Sequence, residues 1–327
     1  MQQEPVKRKS RLEAIDLARG VALVAMAIYH FAWDLGFFGY TAPDMIFETG
    51  WKLFARAIAT SFLFLVGVSL FLAHEQGLRP KPFLRRLAMV VAAAAGISLV
   101  TYIAVPSAFI FFGILHQIAL ASVLGLLFLR LPVVLTLAMV ILIATAPYFA
   151  RNAIFDHPAL WWVGLSTINP SSNDYVPLFP WFAAILAGIA SARIAKTAGL
   201  FSRMADRQMP EWTQPLQFAG RHSLAVYLIH QPVLIAGLWL FSQAFPAAEL
   251  SRETQFIRAC EVQCEETHEA SFCQQYCGCV VAGLLQENRF DEIYAGTPSA
   301  ATSQRLQEVV SMCTLEAESI LPGEDGK

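Results

Sequence analysis

Charge is scarce in this sequence. Only 15% of its 327 residues are charged and the formal net charge is −2, which leaves no electrostatic footing for a nucleic-acid partner. Cysteine is missing from the chain until residue 260; all six, Cys260, Cys264, Cys273, Cys277, Cys279 and Cys313, follow. Lys and Arg are absent from 38–51, and 151–177 holds only Arg151. No long linker, low-complexity tract or repeat occurs before residue 246. The first apolar run is too long and too polar on one face for a cleaved signal peptide, and no targeting signal is read beyond the apolar runs themselves.

Apolar residues fill the space that charge leaves. They make up 56% of the chain, and the mean hydropathy of +0.50 excludes an ordinary soluble protein. The expected fold class is all-α: a polytopic helical membrane bundle of about seven spans with a small cysteine-rich helical C-terminal appendage. Spans near the ~20 residues a bilayer requires are expected at 15–37, 52–74, 86–105, 109–130, 132–150, 178–196 and 222–245. Basic residues cluster before the first span (Lys7, Arg8, Lys9, Arg11), after the second (Arg79, Lys81, Arg85, Arg86) and after the sixth (Arg193, Lys196, Arg203, Arg207). The positive-inside rule then puts segment 1–14 in the cytoplasm, the membrane domain at 15–246 and the tail 247–327 outside.

The cysteines agree with that topology. Two C-x3-C pairs separated by eight residues put each pair on one helix face, as a hairpin of two helices joined by antiparallel bridges needs. Disulfides belong to oxidising compartments. Six cysteines allow 15 connectivities; the expected one is Cys260–Cys277, Cys264–Cys273 and Cys279–Cys313. The rival is a zinc site built from four of them.

The first span, DLARGVALVAMAIYHFAWD, carries Asp16, Arg19, His30 and Asp34 within roughly 60° of one another around the helix. An ionisable group near the bilayer centre costs about 2.5–3.5 kcal/mol to insert, so such a stripe points to function. The plain alternative is that the charges cap the ends and His30 bonds within the bundle. His116 with Gln117 on the fourth span, expected roughly 12 Å deep, and His230 with Gln231 on the seventh, followed by Pro232, are expected at a similar depth to His30. A histidine one turn from a carboxylate, His30 and Asp34, suits proton transfer. Arg19 lies toward the cytoplasm on the same stripe, where Arg85, Arg86 and Arg221, with His222, could meet a phosphorylated donor. On the outer side Asp44, Asp156, Asp174 and Tyr175 could contact a sugar, with Trp161 and Trp162 in the interfacial aromatic belt. Small residues Ala184, Gly188 and Ala192 on the sixth span permit close helix contact.

The stretches RLEAIDLARGVALVAMAIYHFAWDLGFFG, SFLFLVGVSLFLAH, FFGILHQIALA, VPLFPWFAAILAGIASAR and FAGRHSLAVYLIHQPVL resemble, in that order, the heparan-alpha-glucosaminide N-acetyltransferase catalytic-domain family, its bacterial members in particular. Arg19 and His30, with ten residues between them, are also spaced as in the related bacterial membrane O-acyltransferases. The resemblance implies transfer of an acetyl or other short acyl group from cytoplasmic acyl-CoA to a periplasmic sugar or envelope glycan, across the bacterial inner membrane and without a metal. It departs from the family at one position. The lysosomal member has Asn where this chain has His30, with its histidine in the segment after that helix; residues 38–51 hold none, so His30 takes the role of base. His116 and His230 would then stabilise or shuttle charge, and Arg19, Arg221 and His222 would hold the donor's phosphates. The same histidines would serve a transporter or proton-coupled flippase, and a third reading makes the membrane part an anchor for the tail. A homo-oligomer is one arrangement the sequence leaves open.

Overall fold

The computed structural model describes residues 12–42, 45–205, 209–247, 251–265 and 267–320. The chain divides into two compact units, Met1–Phe245 and Pro246–Lys327. Both are helical, and the described residues contain no strand.

The first unit holds α1 (Glu13–Phe37), α2 (Thr49–His74), α3 (Pro80–Ala104), α4 (Ile114–Phe128), α5 (Val133–Phe149), α6 (Leu178–Thr197), α7 (Leu200–Ala205), α8 (Gln214–Arg221) and α9 (Ser223–Ala244). Five of these, α1, α2, α3, α6 and α9, are long and apolar enough to cross a bilayer. Helix α6 packs between α2 and α5, and Leu63, Ile185, Leu186 and Ile189 form the centre of this core with no exposed surface. Close approach of the backbones depends on missing side chains. A Cβ on Gly67 would stand 2.0 Å from the Ile185 carbonyl oxygen, and one on Gly188 would stand 2.1 Å from that of Phe64. Large apolar groups such as Leu99, Ile103, Ile141, Val233 and Leu240 face outward, as lipid-facing surfaces require.

The fourth span differs from its expected form. Helix α4 has 15 residues and begins only at Ile114. The apolar stretch before it turns through Pro106–Ala108 and is pinned from a distance: Asn173 N–H donates to the Ala108 carbonyl (2.9 Å) and Val176 N–H to that of Phe112 (3.1 Å). His116 therefore stands in the first turn of α4, rather than mid-helix. Helix α5 is also short, at 17 residues.

The second unit is built from α10 (Arg252–Cys264), α11 (Ala270–Gln286), α12 (Phe290–Tyr294) and α13 (Ala300–Ile320). Disulfides join Cys260–Cys277, Cys264–Cys273 and Cys279–Cys313, the expected pairing, and they occupy every thiol a zinc site would have used. Two of the bridges tie α10 to α11 and the third ties α11 to α13, around a small core of Val280, Val281, Leu284, Phe290 and Val309. Among the described residues, no group of three or more His, Cys, Asp or Glu could hold a metal ion.

Candidate active site

Helix α1 is polar at two levels, and each level meets a different neighbour. At the lower level Asp16 is 2% exposed. Arg19 Nη1 donates to Asp16 Oδ1 (3.1 Å), and Arg221, from α8, brings Nε to 3.6 Å from Oδ2. Arg19 also donates to the Ser69 hydroxyl on α2. Arg221 Nη2 continues to Gln217 Oε1 (3.3 Å), and Gln217 Nε2 to Thr213 Oγ1 (2.9 Å). The geometry needs α8 pressed against α1: a Cβ on Gly220 would lie 1.8 Å from the Asp16 carbonyl oxygen, and one on Gly20 would lie 2.1 Å from that of Leu216. Two arginines thus share one buried carboxylate.

The upper level brings α1 and α9 together. The rings of His30 and His230 lie 4.9 Å apart, centroid to centroid. One turn on, Asp34 has no exposed surface, and Oδ1 accepts from Gln231 Nε2 (2.7 Å). His230 Nδ1 bonds the Tyr227 carbonyl, which can only accept, so the proton of a neutral His230 ring sits on Nδ1 and Nε2 carries a lone pair. The Gln231 amide is likewise oriented, with Oε1 as its acceptor end. Three buried acceptors here, Asp34 Oδ2, Gln231 Oε1 and His230 Nε2, meet no donor among the described residues. Buried polar groups are nearly always satisfied, so these three atoms are candidates to meet the N–H or O–H groups of a ligand.

The third histidine is separate. Gly113 N–H donates to His116 Nδ1 (3.2 Å), which leaves the proton on Nε2 to donate to Ser98 Oγ (3.2 Å), and Ser98 Oγ donates to the Ile110 carbonyl (2.6 Å). Both ring nitrogens are committed to holding the entry of α4. Asp174 works beside it: Oδ2 accepts from Ile114 N–H (2.9 Å), at the positive end of the helix dipole. Burial pushes the Asp174 carboxyl up, and the Ile114 bond partly opposes it.

The other expected site residues scatter. Arg85 and Arg86 sit exposed in the first turns of α3, a helix whose main neighbour is α4, and His222 caps α8 with Nδ1 2.9 Å from the Phe218 carbonyl. The Asp156 carboxylate fastens its own loop, accepting from the Thr167 hydroxyl, the Ser166 hydroxyl and Thr167 N–H, each at 2.7 Å. Those bonds, the Thr167 hydroxyl first, hold its pKa below the usual range. The Tyr175 hydroxyl donates to the Trp161 carbonyl (2.6 Å). Asp44 lies outside the described residues. Ser69 and the helical α8 had no local signal; Gln231 did, since the dipeptide His-Gln occurs twice, at 116–117 and 230–231.

A helical membrane bundle with a half-buried pair of histidines, an adjacent buried carboxylate and a basic level below it carries groups that acyl transfer can use. Comparison with known families agrees. Residues 11–232 match the heparan-alpha-glucosaminide N-acetyltransferase catalytic family, and the chain belongs to that family, which makes it a membrane acetyltransferase by descent. No curated protein and no solved structure gives a match.

Proposed function

We propose that the chain moves an acetyl or other short acyl group from cytoplasmic acyl-CoA to an amine-bearing sugar of the periplasm or envelope. The observation that carries the reading is the trio of unmatched acceptors, Asp34 Oδ2, Gln231 Oε1 and His230 Nε2, beside His30. An ammonium group offers three N–H donors and a charge that complements Asp34; a single hydroxyl offers one donor. In this scheme the His30–His230 pair takes a proton from the ammonium, and the freed amine attacks the thioester carbonyl. The C–S bond breaks, a C–N bond forms, and the leaving thiolate takes up a proton. Asp34 holds the acceptor and stabilises the imidazolium, and Arg19 and Arg221 draw the donor's phosphates to the lower level.

The disposition in the bacterial inner membrane follows from the same reading, with segment 1–14 inside and the disulfide-bonded tail from 247 in the periplasm. The basic residues support it: Arg193 and Lys196 end α6, and Lys196 pairs with Glu75 just past α2 (3.6 Å), at the helix ends opposite Lys52 and Arg56. The test is release of CoA thiol by the purified protein with acetyl-CoA and a panel of amino sugars. Release with glucosamine-type acceptors, abolished in His30→Ala, is expected. Flux of a sugar across proteoliposomes with no acyl product would replace this reading with the transporter.

A further inference from the structure

Among the described residues of the bundle, Gln117 is the one buried side chain whose hydrogen-bonding capacity goes entirely unused. It is 0% exposed, and neither Nε2 nor Oε1 meets a partner. Burying an amide without partners is unfavourable, so a Leu would serve packing better. The surroundings do not relieve it from within. Gln117 begins the buried stripe Gln117–Ala121–Gly125 of α4, and the side chains nearest Gly125 are Leu70, Ile185 and Ile189. The polar groups at the entry of α4 are bonded elsewhere: His116 to Gly113 and Ser98, Asp174 Oδ2 to Ile114 N–H. A buried water needs two to four polar partners, and this one amide side chain would be a poor host for it.

We infer that Gln117 receives a secondary amide of a substrate or product. A carboxylate would use only its N–H groups and an ammonium only its carbonyl. A secondary amide presents N–H and C=O on one plane and satisfies both ends of the Gln117 head group together. Two species of the proposed reaction carry that group: the pantetheine arm of the acyl-CoA donor, and the acetamido substituent of the N-acetylated sugar product. Gln117 stands about 16 Å from the C-terminal end of α4 at 1.5 Å per residue, inside the bundle where an extended arm would run. The inference deepens the proposed function and rests on it for the identity of these two carriers. Gln117 thereby becomes a positioning residue.

The experiment measures binding, which needs no turnover. The full chain in lipid nanodiscs is titrated calorimetrically with CoA and, separately, with a methyl N-acetylglucosaminide, as wild type and as Gln117→Met. The expected result is about tenfold weaker binding of one of the two ligands, the loss of a hydrogen-bonded amide pair, with the other unchanged. The thermal midpoint of the variant should be equal or higher, since an unsatisfied buried amide has been removed. Unchanged affinity for both ligands overturns the inference, as does a lowered midpoint with binding intact, because the amide is then satisfied within the protein. If Gln117→Met does not fold, the wild type is titrated with the acetyl thioester of N-acetylcysteamine and one of a length-matched alkanethiol, and the sugar with its deacetylated form. Equal affinity within both pairs overturns it. A wild type that binds CoA yet never releases its thiol counts against the proposed reaction and leaves the binding result to stand alone.

Discussion

Substituting Gly220 by Ala tests the idea that the basic level of the site is held by backbone contact between α1 and α8. The added Cβ would sit 1.8 Å from the Asp16 carbonyl oxygen and 2.8 Å from its carbonyl carbon. Both are main-chain atoms, so no side chain can swing aside. Ordinary contact needs about 3.5 Å, and the two helices must part by roughly 1.5 Å. Arg221 already reaches Asp16 at only 3.6 Å and loses that pairing when α8 retreats. Overpacking costs about 1–3 kcal/mol, and weakening one of two cations on a 2%-exposed carboxylate places the substitution in the upper part of that range, about 2–3 kcal/mol. The assay is equilibrium unfolding of the chain in mixed micelles, following helix content against SDS fraction. Gly20→Ala meets the Leu216 backbone at 2.1 Å and should cost a similar amount, while the double variant should fall short of the sum, because one separation relieves both clashes. Gly237→Ala is the control: nothing lies within 4 Å of its added Cβ, and it should gain up to about 1 kcal/mol of helix propensity. A Gly220→Ala protein within about 0.5 kcal/mol of wild type would refute the argument.

Further outcomes follow from the rest of the structure. His30→Ala and His230→Ala should each lower CoA release by about 10²–10⁴-fold, whereas His116→Ala should act through stability, read as a lowered midpoint with turnover per folded molecule retained. Alkylation of the native, unreduced chain should add no mass; removing the Cys279–Cys313 bridge, which spans 34 residues, should destabilise the tail by about 4 kcal/mol, against about 3 kcal/mol for Cys260–Cys277 over 17. The Asp156 pKa is depressed, so its loop gains stability above the unfolded value near pH 3.9 and loses it as pH falls through the lower folded value. Cleavage within 152–168 should therefore rise in acid for the wild type and already be fast at neutral pH in Asp156→Asn.

Much of the bundle was legible because apolar runs of the right length report spans directly. The limits lay where a distant residue decides a local boundary. Nothing in FIFFG says that the helix waits until Ile114; Asp174, sixty residues away, receives that first N–H. His116 looked mid-helix for that reason, whereas it stands in the first turn of α4 with both ring nitrogens bonded. The stripe on α1 was visible in its spacing, but its division into two levels depended on which helix faces each one. Arg221 was recognisable as a basic residue, while its approach to Asp16 depends on two glycines in different helices meeting the opposite backbone. The cysteine pairing was readable because two C-x3-C pairs restrict a helical hairpin strongly. The unmatched amide of Gln117 had no sequence signature beyond the repeated His-Gln.

The confinement of cysteine to one unit makes the chain a ready template for chemical mapping. Every native sulfhydryl is already consumed as cystine in the second unit, and the bundle from 12 to 245 has none to remove. A single cysteine placed at Tyr40 or at Gln76, on loops at opposite ends of α2, would be the sole reactive thiol in the native chain. A membrane-impermeant maleimide applied to whole cells then reads sidedness one residue at a time. Single cysteines moved stepwise along α1 from Asp16 to Asp34 would trace solvent access between its two polar levels.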